Sequence, residues 1–235
     1  MPSTLHRYES LAARAACYAA AFSLHLMLGA CCRVEPETPL AMAAAADDVS
    51  AVRALAAAGA PLEAEDRFGH TPLLWACRHG ATAAALALLD LGAQLEHADG
   101  RQGFGWTPLV TAIHTGHLGT ARALLARGAD VNARGSNGTS PLLMAIADAP
   151  SGDDRAAFVR ELLEAGADPR AALDSGMNAL GLAAAGGDEE VLRLVRAYAP
   201  DLLLPQTLAG AAAGVVAMLR GHGDALEGEP PEAGR

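Results

Sequence analysis

The sequence predicts an all-α protein built as a linear array of stacked helix pairs, and three observations carry that prediction. Alanine dominates a chain that is 51% hydrophobic yet only 4% aromatic, with isoleucine only at Ile113 and Ile146. Alanine has the best helix propensity and strand-forming residues are scarce, so closely packed helices are expected. The second observation is repetition. Thr-Pro-Leu occurs at Thr38-Pro39-Leu40, Thr71-Pro72-Leu73 and Thr107-Pro108-Leu109, and Ser140-Pro141-Leu142 and Asn178-Ala179-Leu180 continue the series. The leucines at 40, 73, 109, 142 and 180 lie 33, 36, 33 and 38 residues apart, a period typical of arrays that stack one small unit on the next. Third, the first four units close on the same signal: Gly59-Ala60, Gly92-Ala93, Gly128-Ala129 and Gly166-Ala167.

Within a unit the order of signals repeats. Thr71 is placed to cap a first helix with its hydroxyl, and Pro72 falls at the first helical position, where no N–H is needed. Small residues such as Ala76 and Cys77 let two helices approach closely, and Leu86, Leu88 and Leu89 give the second helix an apolar face at helical spacing. Gly92 then ends that helix in a left-handed cap. A single helix pair cannot bury its apolar face, so neighbouring units must stack for stability.

The third unit, GWTPLVTAIHTGHLGTARALLARGADVNA, resembles the ankyrin repeat from end to end. The resemblance covers roughly residues 35–222: units at about 35–64, 65–98, 99–133, 134–170 and 171–202, then a partial C-terminal cap at 203–222 that includes LAGAAAGVVAMLRG. It implies an ankyrin solenoid with short β-turn fingers between units. Two units carry extra residues, in ADGRQGFG before Trp106 and in APSGDDR between the helices of the fourth unit. Such insertions map to loops, where binding work concentrates. The histidine usual after Thr-Pro-Leu is replaced throughout, by Ala41, Leu74, Val110, Leu143 and Gly181, which removes polar contacts between repeats. The tail at 223–235, rich in Gly, Pro and Glu, is expected to be disordered.

Residues 1–30 admit two readings. Arg7 and Arg14 precede the uncharged run AACYAAAFSLHLMLGACC, short for a membrane span and suited to a secretory leader. Its end, Leu28-Gly29-Ala30-Cys31, resembles the lipobox of bacterial lipoproteins, which implies cleavage before Cys31, lipidation of its thiol and a place in the bacterial envelope. The alternative is an uncleaved, degenerate N-terminal repeat acting as a capping helix in a cytoplasmic protein; Arg14, His25 and the closing Leu-Gly-Ala suit it, and Glu9 and His25 count against a leader.

Candidate chemistry is thin. The net charge of −10, with arginine as the only strong base, argues against nucleic acid and for a partner that is basic or neutral. Cys17, Cys31, Cys32 and Cys77 follow no zinc or disulfide spacing, and no metal or cofactor is expected. Hydrolase, metalloprotease, phosphate-loop and dinucleotide motifs are missing from the chain. Asp47-Asp48, Asp153-Asp154 and Glu189-Glu190 fall at turns or helix starts, where acids favour the helix dipole. In GHTPLLWACRHG, Cys77 and His79 are two residues apart on a helix and cannot pair, so Cys77 reads as a small buried residue.

Ankyrin arrays bind proteins through finger tips and the exposed faces of the first helices. By the resemblance, Phe68 and Phe104 fall at equivalent finger positions with Asn137, and His70 and Trp106 follow with Thr139. Trp75, Thr111 and Met144 are equivalent on the first helices, with Arg78 and His114 a turn later. This set holds both tryptophans of an aromatic-poor chain, and aromatics and arginine dominate interface energies; the alternative, open for Trp75 and Trp106 above all, is that they pack between the fingers of neighbouring repeats. The expected function is therefore a monomeric, non-enzymatic protein-interaction scaffold, touching a membrane only through a lipid at Cys31. The alternative is an inhibitor or regulator of a partner enzyme, or a secreted effector acting on a foreign protein.

Overall fold

Each first helix begins where a hydroxyl or amide oxygen accepts from the backbone three residues on. In the computed structural model, which describes residues 36–100, 104–149 and 153–203, Thr38 accepts from Ala41 N (3.1 Å), Thr71 from Leu74 N (3.3 Å), Ser140 from Leu143 N (3.3 Å) and Asn178 from Gly181 N (2.9 Å). A proline at the first helical position follows in four of the five units, with φ already set for the helix. The five first helices are α1 (Pro39–Ala45), α3 (Pro72–His79), α5 (Pro108–His114), α7 (Pro141–Asp148) and α9 (Ala179–Gly186).

The second helices are α2 (Val49–Ala57), α4 (Thr82–Asp90), α6 (Leu118–Ala126), α8 (Asp153–Glu164) and α10 (Glu189–Tyr198). Four of them end alike: the N–H of the alanine after glycine reaches back to Leu55, Leu88, Leu124 or Leu162 O at 2.9–3.1 Å. The glycines themselves stand at φ 89, 99, 86 and 92°, a left-handed cap that a Cβ would strain. Asp47 and Asp48 act as helix caps rather than as an acid pair. Asp48 accepts from Ala51 N at 2.9 Å, and Asp47 accepts from Ala84 N (2.7 Å), capping α4 of the next unit.

Packing runs along the array, first helix on first helix and second on second. Each unit contributes one fully buried leucine after its cap: Leu40, Leu73, Leu109, Leu142 and Leu180, all at most 2% exposed. Full burial of such a side chain stabilises by about 1.5–3 kcal/mol. A polar ladder runs beside this core. Glu63 accepts from Gln94 N (2.8 Å), Glu96 from Asp130 N (2.9 Å) and Asn132 from Asp168 N (2.8 Å). The arrangement is all-α: ten helices among the described residues, with one isolated bridge between Ala172 and Asn178. No helix among the described residues is long and apolar enough to cross a membrane. The leader with Cys31, the partial cap beyond Leu203 and the tail lie outside the described residues.

Candidate functional site on fingers and first helices

The fingers are tight loops closed by backbone hydrogen bonds. Asp66 N donates to His70 O (3.1 Å), Gly135 N to Thr139 O (2.8 Å) and Leu173 N to Met177 O (2.8 Å), each spanning four residues. The third finger closes between Asp99 N and Trp106 O (3.1 Å), seven residues apart. Its closing groups are thus three residues further apart in the chain than those of the other fingers. Beyond it the fingers are joined to each other: Phe104 O accepts from Ser136 N (2.7 Å), and Asn137 O from Asp174 N (3.0 Å). Gly135 and Gly138 are needed here, because a Cβ would come within 2.8 Å of Phe104 O and 3.0 Å of Ala172 O.

Asp66, 4% exposed, anchors the second finger. Its carboxylate accepts from Phe68 N (2.8 Å), His70 N (2.9 Å) and the Trp75 indole Nε1 (3.0 Å). Three N–H donors replace the water that a buried carboxylate loses. His70 stands edge-on to Trp75 with centroids 5.5 Å apart, and its Nδ1 is 3.6 Å from Asp66 Oδ2 without a hydrogen bond. Burial of the ring lowers the His70 pKa, and the nearby Asp66 charge only partly offsets it.

The expectation that Trp75, Thr111 and Met144 face outward is corrected. They are 0%, 9% and 2% exposed. Their equivalence along the first helices holds, but the row they form is buried. Trp75 lies beneath His70 and His79, the latter ring 5.5 Å away. Trp75 is therefore a structural residue of the second finger, held by Asp66.

Six of the expected residues do reach the surface. Arg78 lies on α3 with its guanidinium 5.9 Å from the Trp75 centroid. Phe68, half-buried, carries Arg67 over its ring at 4.7 Å. Phe104 is 39% exposed and stacks on Trp106 with centroids 5.1 Å apart. Trp106 in turn packs on His114 at 4.6 Å, and His114 Nδ1 lies 2.6 Å from Asp148 Oδ2 of the next unit. His70 completes the six on the second finger. The sequence reading missed Asp66, Asp99 and Asp148, the carboxylates that hold these rings. Asp66-Arg67-Phe68-Gly69, an Asp three residues before a turn glycine, is a local signal for the first; Asp99, six residues before Gly105, and Asp148 have no such signal.

Catalytic chemistry finds little support in these surroundings. Cys77 is wholly buried and burial pushes its thiol pKa up, which disfavours the nucleophilic thiolate. His97 sits between Glu63 and Glu65, 3.2 Å from each. Among the described residues no group of three or more His, Cys, Asp or Glu is placed to hold a metal.

Helix pairs repeating near 33 residues, fingers closed over glycine and a contact row of finger and first-helix side chains together define a helical repeat solenoid. The chain belongs to the ankyrin repeat family: the family described as Ankyrin repeats (3 copies) matches residues 11–99 and 94–171. Compared with curated proteins, the chain matches none. Ankyrin repeats are generally protein–protein interaction modules and are typically non-catalytic.

Proposed function

We propose that this protein is a binding scaffold that engages its partner through Phe68, His70, Arg78, Phe104, Trp106 and His114. The observation that carries the reading is the Phe104–Trp106–His114 stack. It places aromatic rings at the surface on a lengthened finger, in a chain that is only 4% aromatic. Rings of this kind supply interface anchors worth about 2 kcal/mol or more each. Affinity capture with the whole chain tests it. Phe104→Ala with Trp106→Ala should abolish recovery of the partner while leaving the melting temperature within a few degrees. Unchanged recovery, or a collapse of the fold, rejects the site. One stoichiometric enzyme among the captured proteins favours the inhibitor reading over the scaffold.

Localisation turns on residues 1–30. Leu28-Gly29-Ala30-Cys31 supports a lipidated, envelope-bound protein, whereas the family match from residue 11 supports an uncleaved chain whose array begins within that segment. Intact mass and acyl labelling separate the two: a protein retaining Met1 to Ala30 without acyl label is not a lipoprotein.

A further inference from the structure

The net charge describes the whole chain, but it does not describe the face that carries the aromatic stack. Many of the acids are engaged inside the array. Asp66 holds three N–H groups, Asp99 accepts from Trp106 N (2.6 Å), and Asp148 pairs with His114. Others serve as caps or in the ladder, as Asp47, Asp48, Glu63 and Glu96 do.

Most arginines of the described residues are engaged as well, and Arg78 on this face is an exception. On the second helices Arg122 pairs with Glu161, Arg127 with Asp90 and Arg160 with Glu190 across adjacent units. Arg78, half-buried at the end of α3, meets no carboxylate of the described residues within 4 Å; its guanidinium lies near the Trp75 ring and close enough to His70 to oppose its protonation. One repeat along, the Trp106 indole Nε1 is buried and has no acceptor. Only the half-buried guanidinium can receive an acceptor from outside, since the indole N–H is itself buried.

We infer that this face docks an acidic linear segment of the partner protein, its carboxylate on Arg78 and an adjoining apolar or aromatic side chain on Phe104 and Trp106. The inference rests on the protein-binding reading above and names the chemistry of that partner. A monoanionic carboxylate fits better than a phosphate. Among the described residues Arg78 is the guanidinium that offers itself there without a carboxylate, and the nearby buried Asp66 and Asp99 repel a dianion more than a monoanion. This replaces the basic or neutral partner expected from net charge alone.

A random twelve-residue peptide display library, panned on the full chain, tests it. Selected peptides should carry Asp or Glu beside a large apolar or aromatic residue. The leading synthetic peptide should bind Arg78→Gln about tenfold more weakly or worse, since a charge-assisted contact is lost. Its own Glu→Gln change should cost the same on the wild type and nothing further on Arg78→Gln. Panning on Arg78→Glu should select Lys or Arg instead, a reversal that a purely structural arginine would not produce. Selected peptides that are neutral or basic, equal binding to Arg78→Gln, or tighter binding of a phosphoserine version would each overturn the inference. No binding peptide while partner capture succeeds sinks the acidic segment alone; failure of both sinks the binding reading as well.

Discussion

The second and third fingers start alike, each with a buried aspartate at its base, and use their tryptophans in opposite ways. In the second, the span from Asp66 to His70 is four residues and Trp75 lies in the helix behind, fully buried with its indole N–H on the aspartate. In the third, the span is seven residues, Trp106 is part of the finger itself, and Asp99 binds its backbone N–H instead. The indole is then left without an acceptor and the ring half-exposed. A tryptophan's worth to stability or to binding is thus set by where its N–H finds a partner. Asp66 turns one tryptophan into core, and Asp99 leaves the other at the surface.

The largest expected effect breaks this symmetry outright. Trp75→Ala removes a fully buried ring and strands one oxygen of Asp66, so it should cost roughly 3–5 kcal/mol of unfolding free energy. Trp106→Ala removes a half-exposed ring with no hydrogen bond on its indole and should cost about 1 kcal/mol or less. Urea denaturation of the two variants checks the pair, and equal losses would undo the distinction between the fingers.

The aspartates should follow in the same order. Asp66→Asn keeps one acceptor for three donors and sets an NH2 against at least one of them, a loss of about 2 kcal/mol. Asp99→Asn keeps its one backbone bond if the amide turns its oxygen toward Trp106 N, and should cost about 1 kcal/mol or less. A reversed ranking in denaturant midpoints would show that the third finger, not the second, bears the structural load.

Much of this architecture was legible in the residues. Thr71 and Pro72 mark a helix start, and Gly92 a helix end, because capping and left-handed turns are local chemistry that a few neighbouring residues decide. The 36-residue spacing between Leu73 and Leu109 likewise shows that the third finger is longer. The exposure of the first-helix row was not legible. Aligning Trp75, Thr111 and Met144 correctly makes them equivalent, yet their burial depends on the units stacked beside them and, for Trp75, on Asp66 nine residues earlier in the chain. His114 with Asp148 is similar: the pair forms across a unit boundary, and nothing local in either stretch announces it.

A smaller effect separates the fingers by pH. His70 titrates below the ordinary imidazole range in the folded chain because its ring is buried. The unfolded chain therefore binds more protons over that interval, and stability rises with pH there. Stability is full above about pH 6.5, the ordinary imidazole value, and falls as pH drops through it toward the folded value. The third finger carries Trp106 at the equivalent position and contributes no such slope. Thermal melts between pH 5 and 7.5 should show a shallower decline for His70→Gln than for the wild type; parallel curves would place the acid sensitivity elsewhere.

The smallest effect marks where the second finger stops being structural. Arg67 pairs with Glu37 at 2.9 Å and lies over Phe68, but its side chain is 67% exposed. An ion pair so open to water and salt contributes only about 0–1 kcal/mol, and the cation–π contact adds little at an exposed site. Arg67→Ala should therefore shift the denaturation midpoint by less than Asp66→Asn next to it, and by nothing measurable at 0.5 M salt. The two residues are neighbours in sequence and differ in one respect, that Asp66 faces three N–H groups in the interior while Arg67 faces solvent. A loss at Arg67 matching that at Asp66 would mean that the outer edge of the finger, and not the buried carboxylate, holds Trp75 in place.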